Sequence, residues 1–547
     1  MKKLIPLFTF FTFILLNAQT RYLEEVFEEI EVEENIIYGE NYSFLQYLAF
    51  GITANQQLEM DIYKPVGDDL AERPVVMVVH TGSFLPIFLN NTTTGERNDS
   101  ATVEICKQLA RRGFVVANID YRLGWNPISE SKDVRVNTLI NAAYRGVQDG
   151  RTCVRYLKKS VAENGNPYGI DSARITVFGQ GTGGYGAYAM ATLDSPTEFE
   201  LDKFLFINPD GVLTTHVTED VNGSLEGFGY PDPEQENGFI ETDTASLFFG
   251  QFIPLNKPNH IGYNSDFQFG FATGGALPAA AWIDENSIPC AAVQTVTDPS
   301  APFYTEILIV PTTLEDVVEV DGAGTSMPVF NESGVNDVLL KDADGNNFIL
   351  TDEYSNSIRE KTYSVTGLDG QENIWAITSQ DAVSSPWEWW DPNNSNHDFQ
   401  GPSGFFDENG VELTFHEYNL LFNPDMSKQK ALVYIDTILN FFAPRAALAL
   451  DLLPLSELQH TTIVGLETLS PIDFEISPNP ATAFVQITAK TERLQNIKIY
   501  DIQGKLLKEY AINDTQYLLK REDLNNGIYI LQIETTNGIY SQKLIWE

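Results

Sequence analysis

From Leu58 onward the chain alternates two hydrophobic patterns. Short, nearly continuous apolar runs at residues 74–80, 114–121, 174–179, 267–275 and 289–294 have strand length and are rich in β-branched and aromatic residues. Such runs predict strands buried on both faces. Between them, residues 103–112, 136–162 and 183–193 repeat apolar positions at helical spacing. The alternation predicts an α/β domain: a mostly parallel sheet with helices on both faces. Residues 374–377 are expected to form a late strand and 427–442 a last helix.

The pattern breaks in several places. Residues 21–35 hold seven glutamates among apolar positions and read as a solvated surface segment. Residues 195–262 are polar and rich in Gly, Pro and Glu, longer than an ordinary connection, and read as a cap insertion. A further irregular stretch covers 304–426. The body is expected at 20–450 and a linker at 451–471. Residues 472–547 switch to short alternating strands and turns, the pattern of a small all-β, immunoglobulin-like sandwich. At the other end, Lys2 and Lys3 precede an apolar run and Ala18-Gln19, so residues 1–19 read as a signal peptide. No later run is long and apolar enough for a membrane span.

Composition narrows the partners. The 547 residues include 34 Lys+Arg and 76 Asp+Glu, a net charge of −42. With 43% hydrophobic and 12% aromatic residues the chain can build a large core, unlike a disordered acidic polymer. The negative field argues against nucleic acid and against an anionic membrane surface. The excess sits on the body, because residues 472–547 carry 8 basic against 10 acidic residues. Cys106, Cys153 and Cys290 are too few for a disulfide scaffold, although one bridge is conceivable, and no Cys/His metal spacing occurs. Neither a metal nor a cofactor is expected.

The tail carries three motifs in order: Ser477-Pro478-Asn479-Pro480, then Asp501-Ile502-Gln503-Gly504-Lys505, then Leu524-Asn525-Asn526-Gly527-Ile528-Tyr529, with Lys543-Leu544-Ile545 near the end. This series resembles the C-terminal sorting domain of the Bacteroidetes type IX secretion system. The resemblance implies recognition by that machinery, export to the surface or exterior, and then tail removal or anchoring.

In the body, Met60-Asp61-Ile62-Tyr63-Lys64-Pro65, Arg112-Gly113-Phe114 leading to Asp120-Tyr121-Arg122-Leu123, Asp149-Gly150-Arg151 and the run 174–179 entering a glycine-rich turn occur in order. They resemble α/β-hydrolases of the carboxylesterase and lipase type. The resemblance implies a serine nucleophile, a histidine base, an acid and an oxyanion hole. The elbow G-x-S-x-G is here Gly179-Gln180-Gly181-Thr182-Gly183, so the nucleophile position is Gly181, which has no side chain to acylate. Gly82 and Ser83, in His80-Thr81-Gly82-Ser83-Phe84, and the Thr182 amide are the oxyanion-hole candidates. Thr81 replaces a glycine of that loop. Asp298, in Asp298-Pro299-Ser300-Ala301-Pro302-Phe303, fits the acid position. The loop after residues 374–377 contains no histidine; His397 is a weak base candidate, with His416 beside it.

Three other motifs compete. Gly179-x-Gly181-x-x-Gly184 satisfies a dinucleotide fingerprint, but it follows several α/β units, and Asp210 is a poor match for the acid that fingerprint requires. Asp342-Ala343-Asp344-Gly345-Asn346 resembles a calcium loop through Glu353, yet Asn347 stands where glycine is needed, and a hairpin turn is the better reading. Trp387, Trp389 and Trp390 are either a stacking platform or core packing. The preferred reading is a non-catalytic relative of the esterases that binds a small ester-like ligand near His80, Ser83, Gly181 and Asp298. The alternatives are an active ester hydrolase using a displaced residue such as Thr182, and a surface glycan-binding protein.

Overall fold

The computed structural model describes residues 20–547 apart from 209–210, 310–315, 368–370, 379, 381, 464–473, 490–492, 502–504 and 536–538. The expected signal peptide, Asp210 and part of the expected linker lie outside the described residues. The chain divides into two compact units: Met1–Leu340 with Leu350–His460, and Lys341–Ile349 with Thr461–Glu547.

The first unit is built on an eight-stranded sheet. Its strands are β1 (Ile30–Ser43), β2 (Ala54–Pro65), β3 (Arg73–Val79), β4 (Val115–Ile119), β5 (Ile170–Gln180), β6 (Phe269–Thr273), β7 (Cys290–Thr295) and β8 (Ile374–Ile377). They lie in the order β1-β2-β4-β3-β5-β6-β7-β8. The strands from β4 to β8 pair in parallel, while β1 and β2 run antiparallel at one edge. The five apolar runs are the inner strands β3 to β7, and both of their faces are covered. Helices α2 (Lys132–Glu163) and α3 (Thr182–Thr192) contribute to one core, with Val147, Val154 and Leu157 buried against Met77 and Val177. Helices α1 (Ser100–Arg111) and α6 (Lys428–Ala449) contribute to the other, where Ile105, Leu109, Ile438 and Phe442 meet Val76, Phe178 and Phe271. Two further helices, α4 (Ala323–Glu332) and α5 (Glu353–Thr366), pack near β7 and β8.

The motifs quoted from the sequence meet in space. Arg122 follows β4 and Asp149 sits on α2, and both side chains are fully buried. The Arg122 guanidinium donates to Asp149 at 2.8–2.9 Å, and the Arg122 backbone N–H adds a third donor at 2.8 Å. Arg122 also donates to Leu255 O and Gln148 Oε1, which completes the shell that buried charges require.

The glutamate-rich segment is solvated as expected, with Glu31, Glu33 and Glu34 exposed, and from Ile30 it forms the edge strand β1. One expectation is corrected. The last helix does not stop before Pro444. It continues to Ala449 with Phe441, Phe442, Ala443 and Ala446 buried, so packing holds it through the proline. Its length and apolarity suffice for a membrane span, but 61% of that stretch is buried inside the protein.

Residues 195–262 hold two small hairpins, Leu205–Ile207 with Leu213–Thr215 and Asn237–Ile240 with Phe252–Asn256. The three cysteines are buried and free. In the second unit, the Asp342–Gly345 region is a tight turn, with Gly345 N–H donating to Asp342 O and Asp342 N–H to Asn346 O. Residues 338–341 read by pattern as the leading strand of that hairpin; of them Lys341 bridges Asn347, while Asp337–Leu340, at the end of the first unit's segment, is a short helix. The tail is an antiparallel pair of sheets, β9-β10-β13 (Phe474–Ser477, Phe484–Ala489, Gln516–Lys520) and β12-β11-β14-β15 (Leu506–Asp514, Leu494–Tyr500, Gly527–Thr535, Ile539–Trp546). Val485, Ile487, Ile497, Leu519, Leu531 and Trp546 form their shared core.

Candidate functional site

The strand β5 ends in a sharp turn into α3, and Gly181 is its corner. Gly181 has φ 51° and ψ −114°, a left-handed conformation that side chains rarely adopt. Its N–H donates to Thr273 O at the end of β6 (2.7 Å), which fixes the corner over the C-terminal edge of the sheet. The glycines around it serve close approach. A Cβ on Gly183 would collide with Val79 O, and one on Gly184 would stand 3.0 Å from the Gly275 backbone. A Cβ on Gly179 would collide with Gly183 O, so the fingerprint glycines Gly179, Gly181 and Gly184 are accounted for by the sharp corner and the close packing around it.

The turn expected as a nucleophile elbow is thus a sharp strand-to-helix corner, and the residue at the corner is glycine. The space a serine side chain would use is filled. A Cβ built on Gly181 would collide with Thr81 Oγ1 and stand 2.8 Å from Thr81 Cβ. Thr81 belongs to the loop after β3, which keeps strained backbone at Ser83 and Phe84 (φ 55° and 54°). This loop is tied down. Ser83 N–H donates to Thr182 Oγ1 at 2.6 Å, and Trp125 Nε1 donates to Ser83 O at 2.7 Å. Of the oxyanion-hole candidates Gly82, Ser83 and Thr182, the Ser83 amide is therefore aimed at a protein acceptor. The Thr182 hydroxyl is engaged by the same bond.

Asp298 lies in the turn after β7 and is buried. Its Oδ1 accepts from Ser300 N–H at 2.8 Å. Its Oδ2 accepts from Ser384 Oγ at 2.7 Å. Ser384 sits in the loop after β8, where a base would be sought, and its Oγ is 3.3 Å from Ser385 Oγ. Ser385 is itself strained, at φ 43°. Burial pushes the Asp298 carboxyl up to about 6, against the opposing pull of the Ser384 hydroxyl and two backbone N–H groups. Among the described residues, no histidine lines the cavity onto which Asp298 opens.

The structure places the histidines elsewhere. His397 Nε2 is 3.3 Å from Glu96 Oε2, in a separate cleft with Trp389 and Trp390, so it is not brought to Asp298. His416 Nδ1 accepts from Trp390 Nε1 at 3.1 Å. His80 stacks on Tyr121 and faces a charged cleft with Asp61, Arg97 and Asp120, away from Gly181 and Asp298. Burial pushes its imidazole down to about 4, so it is neutral at pH 7. The tryptophans do not share one open face, since Trp387 and Trp390 are buried.

Thr81, Gly82, Ser83, Gly181, Thr182 and Asp298 all line one cavity of about 250 Å³. Its apolar walls come from α2 and α3, from Phe199 and Phe204 at the start of the 195–262 insertion, and from the hairpin Thr305–Ile309 with Asp316–Asp321. Sequence reasoning missed two polar residues here. Ser384 was overlooked because only histidine was sought in its loop. Glu388 was overshadowed by the neighbouring tryptophans. Glu388 Oε2 accepts from Thr94 Oγ1 at 3.0 Å, and burial, with Asp99 and Asp298 nearby, pushes its carboxyl up to about 8.

Residues 60–222 match the family model described as BD-FAE, and residues 475–547 match the secretion system C-terminal sorting domain. No curated protein matches the chain significantly. Among solved structures, esterase B of Lactobacillus rhamnosis with a tributyrin phosphonate is 23% identical over 32% of this chain and 45% of its own, at TM-score 0.22. Thermogutta terrifontis esterase 2 phosphorylated by paraoxon is 16% identical over 50% of this chain and 73% of its own, at TM-score 0.27. The bacterial brefeldin A esterase is 18% identical over 31% of this chain and 36% of its own, at TM-score 0.20. The chain thus spans less than half the length of the first and third of these. The sheet order and the matched region define an esterase-like α/β-hydrolase domain. The C-terminal region is a type IX sorting domain, which directs the chain to the cell surface or exterior.

Proposed function

We infer that the body is a non-catalytic, ligand-binding relative of the esterases. One observation carries the reading: the elbow residue is Gly181, and Thr81 fills the volume its side chain would need. Acyl transfer requires a nucleophile whose proton is taken by a base. Ser384 holds Asp298 where an imidazole would be oriented, and a hydroxyl is far too weak a base for that task at pH 7. The cavity and the acid remain, which supports binding without turnover.

The protein is expected to hydrolyse nitrophenyl butyrate no faster than an unrelated acidic protein. Gly181→Ser is expected to add nothing, because the new side chain meets Thr81 and finds no base. Turnover that is lost in Asp298→Ala would overturn the reading. A second reading, hydrolysis by a displaced hydroxyl, draws on Thr81 Oγ1 standing in the serine's space. It predicts covalent fluorophosphonate labelling at Thr81, whereas the Thr182 hydroxyl is already bonded to Ser83 N–H.

A further inference from the structure

The cavity has an unusual charge pattern. Two carboxyl-bearing side chains, Asp298 and Glu388, line it, and no Lys, Arg or His is among the described residues that do so. Its other walls are rich in aromatic rings, including Phe84, Trp125, Tyr185, Phe199, Trp282 and Trp390. Among the described residues each carboxyl has only uncharged donors: Ser384 Oγ and the Ser300 and Ala301 N–H groups on Asp298, and Thr94 Oγ1 on Glu388. By contrast, the buried Asp149 of the same unit receives a full guanidinium. A buried carboxylate without a cation is costly, and a ligand that supplies the cation removes that cost. Aromatic faces add attraction for the same charge. An anionic ligand would instead bring its charge beside two acidic side chains in an apolar enclosure.

Resting on the non-catalytic reading above, we propose that the cavity binds an apolar ligand bearing a positively charged nitrogen, with the nitrogen held by Glu388 and Asp298 and the hydrocarbon against the aromatic and aliphatic walls. The ligand class is therefore a hydrophobic ammonium. A fatty acid or other carboxylate product is excluded by the same charges. This reverses what an ester-hydrolysing pocket must tolerate, since hydrolysis leaves a carboxylate in the site.

The test uses three probes of matched length, heptyltrimethylammonium, 1-heptanol and heptanoate, titrated calorimetrically into the full chain at pH 7. The ammonium is expected to bind at least about tenfold more tightly than the alcohol, and heptanoate more weakly than either. Glu388→Gln and Asp298→Asn are each expected to bring the ammonium close to the alcohol. Glu408→Gln, on the exposed surface, is expected to change nothing, which separates the cavity from the general negative field of the chain. The ammonium carries its charge at every pH, so its affinity reads the protein alone. Its affinity is expected to rise roughly tenfold from pH 7 to pH 9 as Glu388, which faces Asp99 and Asp298, ionises. Equal binding of ammonium and alcohol, tighter binding of heptanoate, or binding of none of the three overturns the proposal. Circular dichroism and thermal melting of the two cavity variants exclude misfolding as the cause of lost binding. Ester turnover, measured on the same samples, reports separately on the non-catalytic reading, so the two fail independently.

Discussion

Asp149 and Asp298 are both buried carboxylates in one unit, and their neighbours differ in kind. Asp149 is clasped by the Arg122 guanidinium and a backbone N–H, in a place where α2 must dock against the end of β4. Asp298 has only a hydroxyl and backbone N–H groups, and it opens on a cavity. The first arrangement is complete, and what it does is hold the fold together. The second lacks a charged partner, which is what a catalytic histidine or a bound cation would supply. Of two buried carboxylates in one unit, one is locked into the scaffold by a guanidinium and the other is left facing the cavity with uncharged donors.

The comparison breaks first at Asp149. Asp149→Ala leaves the Arg122 charge buried and unpaired, and is expected to cost about 3–5 kcal/mol in urea unfolding. Asp298→Asn is expected to be neutral or stabilising at pH 8, because it removes a carboxyl that burial disfavours. A loss at Asp298 as large as at Asp149 would erase the distinction.

A smaller effect is expected at the elbow. Gly181→Ser combines overpacking with left-handed strain and is expected to destabilise by about 2–4 kcal/mol. Adding Thr81→Gly relieves the overpacking, and a double-mutant cycle is expected to show coupling of about 1–2 kcal/mol. Additive effects would mean that Thr81 does not occupy the serine's space.

The pH dependence of stability sharpens the same contrast. Burial raises the folded carboxyls of Asp298 to about 6, Asp99 to about 7 and Glu388 to about 8. A raised carboxyl binds its proton more tightly in the folded state. Its contribution is full below the unfolded value and is lost as pH rises through the folded one. The buried His80, held neutral, works in the opposite sense up to the ordinary imidazole value, so the fall is expected above it: about 3–6 °C in melting temperature between pH 6.5 and pH 8.5, reduced in Glu388→Gln. Smallest of all, Ser384→Ala removes one hydrogen bond to Asp298 and is expected to cost about 1 kcal/mol, with the Asp298 carboxyl moving further up.

Much of the fold was legible because the inner strands are buried on both faces and leave continuous apolar runs. The strand character of β1 was not, since its exposed positions carry glutamates that mark a solvated segment without marking an element. The last helix was read too short because local rules stop a helix near Pro444, while burial of Phe442 and Ala446 carries it onward. At the site, the glycine at the strand-to-helix corner was visible in one residue, Gly181. The residues around it were not, because Thr81 comes from the loop after β3 and Ser384 and Glu388 from the loop after β8, which only folding brings together. The motif Asp120-Tyr121-Arg122 and the motif Asp149-Gly150-Arg151 were legible as a pair of signals, and their meaning is a single buried ion pair.

The central claim is that the reaction centre no longer performs acyl transfer. The most direct measurement is active-site titration of the purified protein with a fluorophosphonate, read by intact mass, alongside steady-state hydrolysis of nitrophenyl butyrate. The account predicts no mass increase and no turnover above an unrelated acidic protein, in wild type and in Gly181→Ser alike. Stoichiometric labelling of one hydroxyl, with turnover abolished by Asp298→Ala, would contradict it.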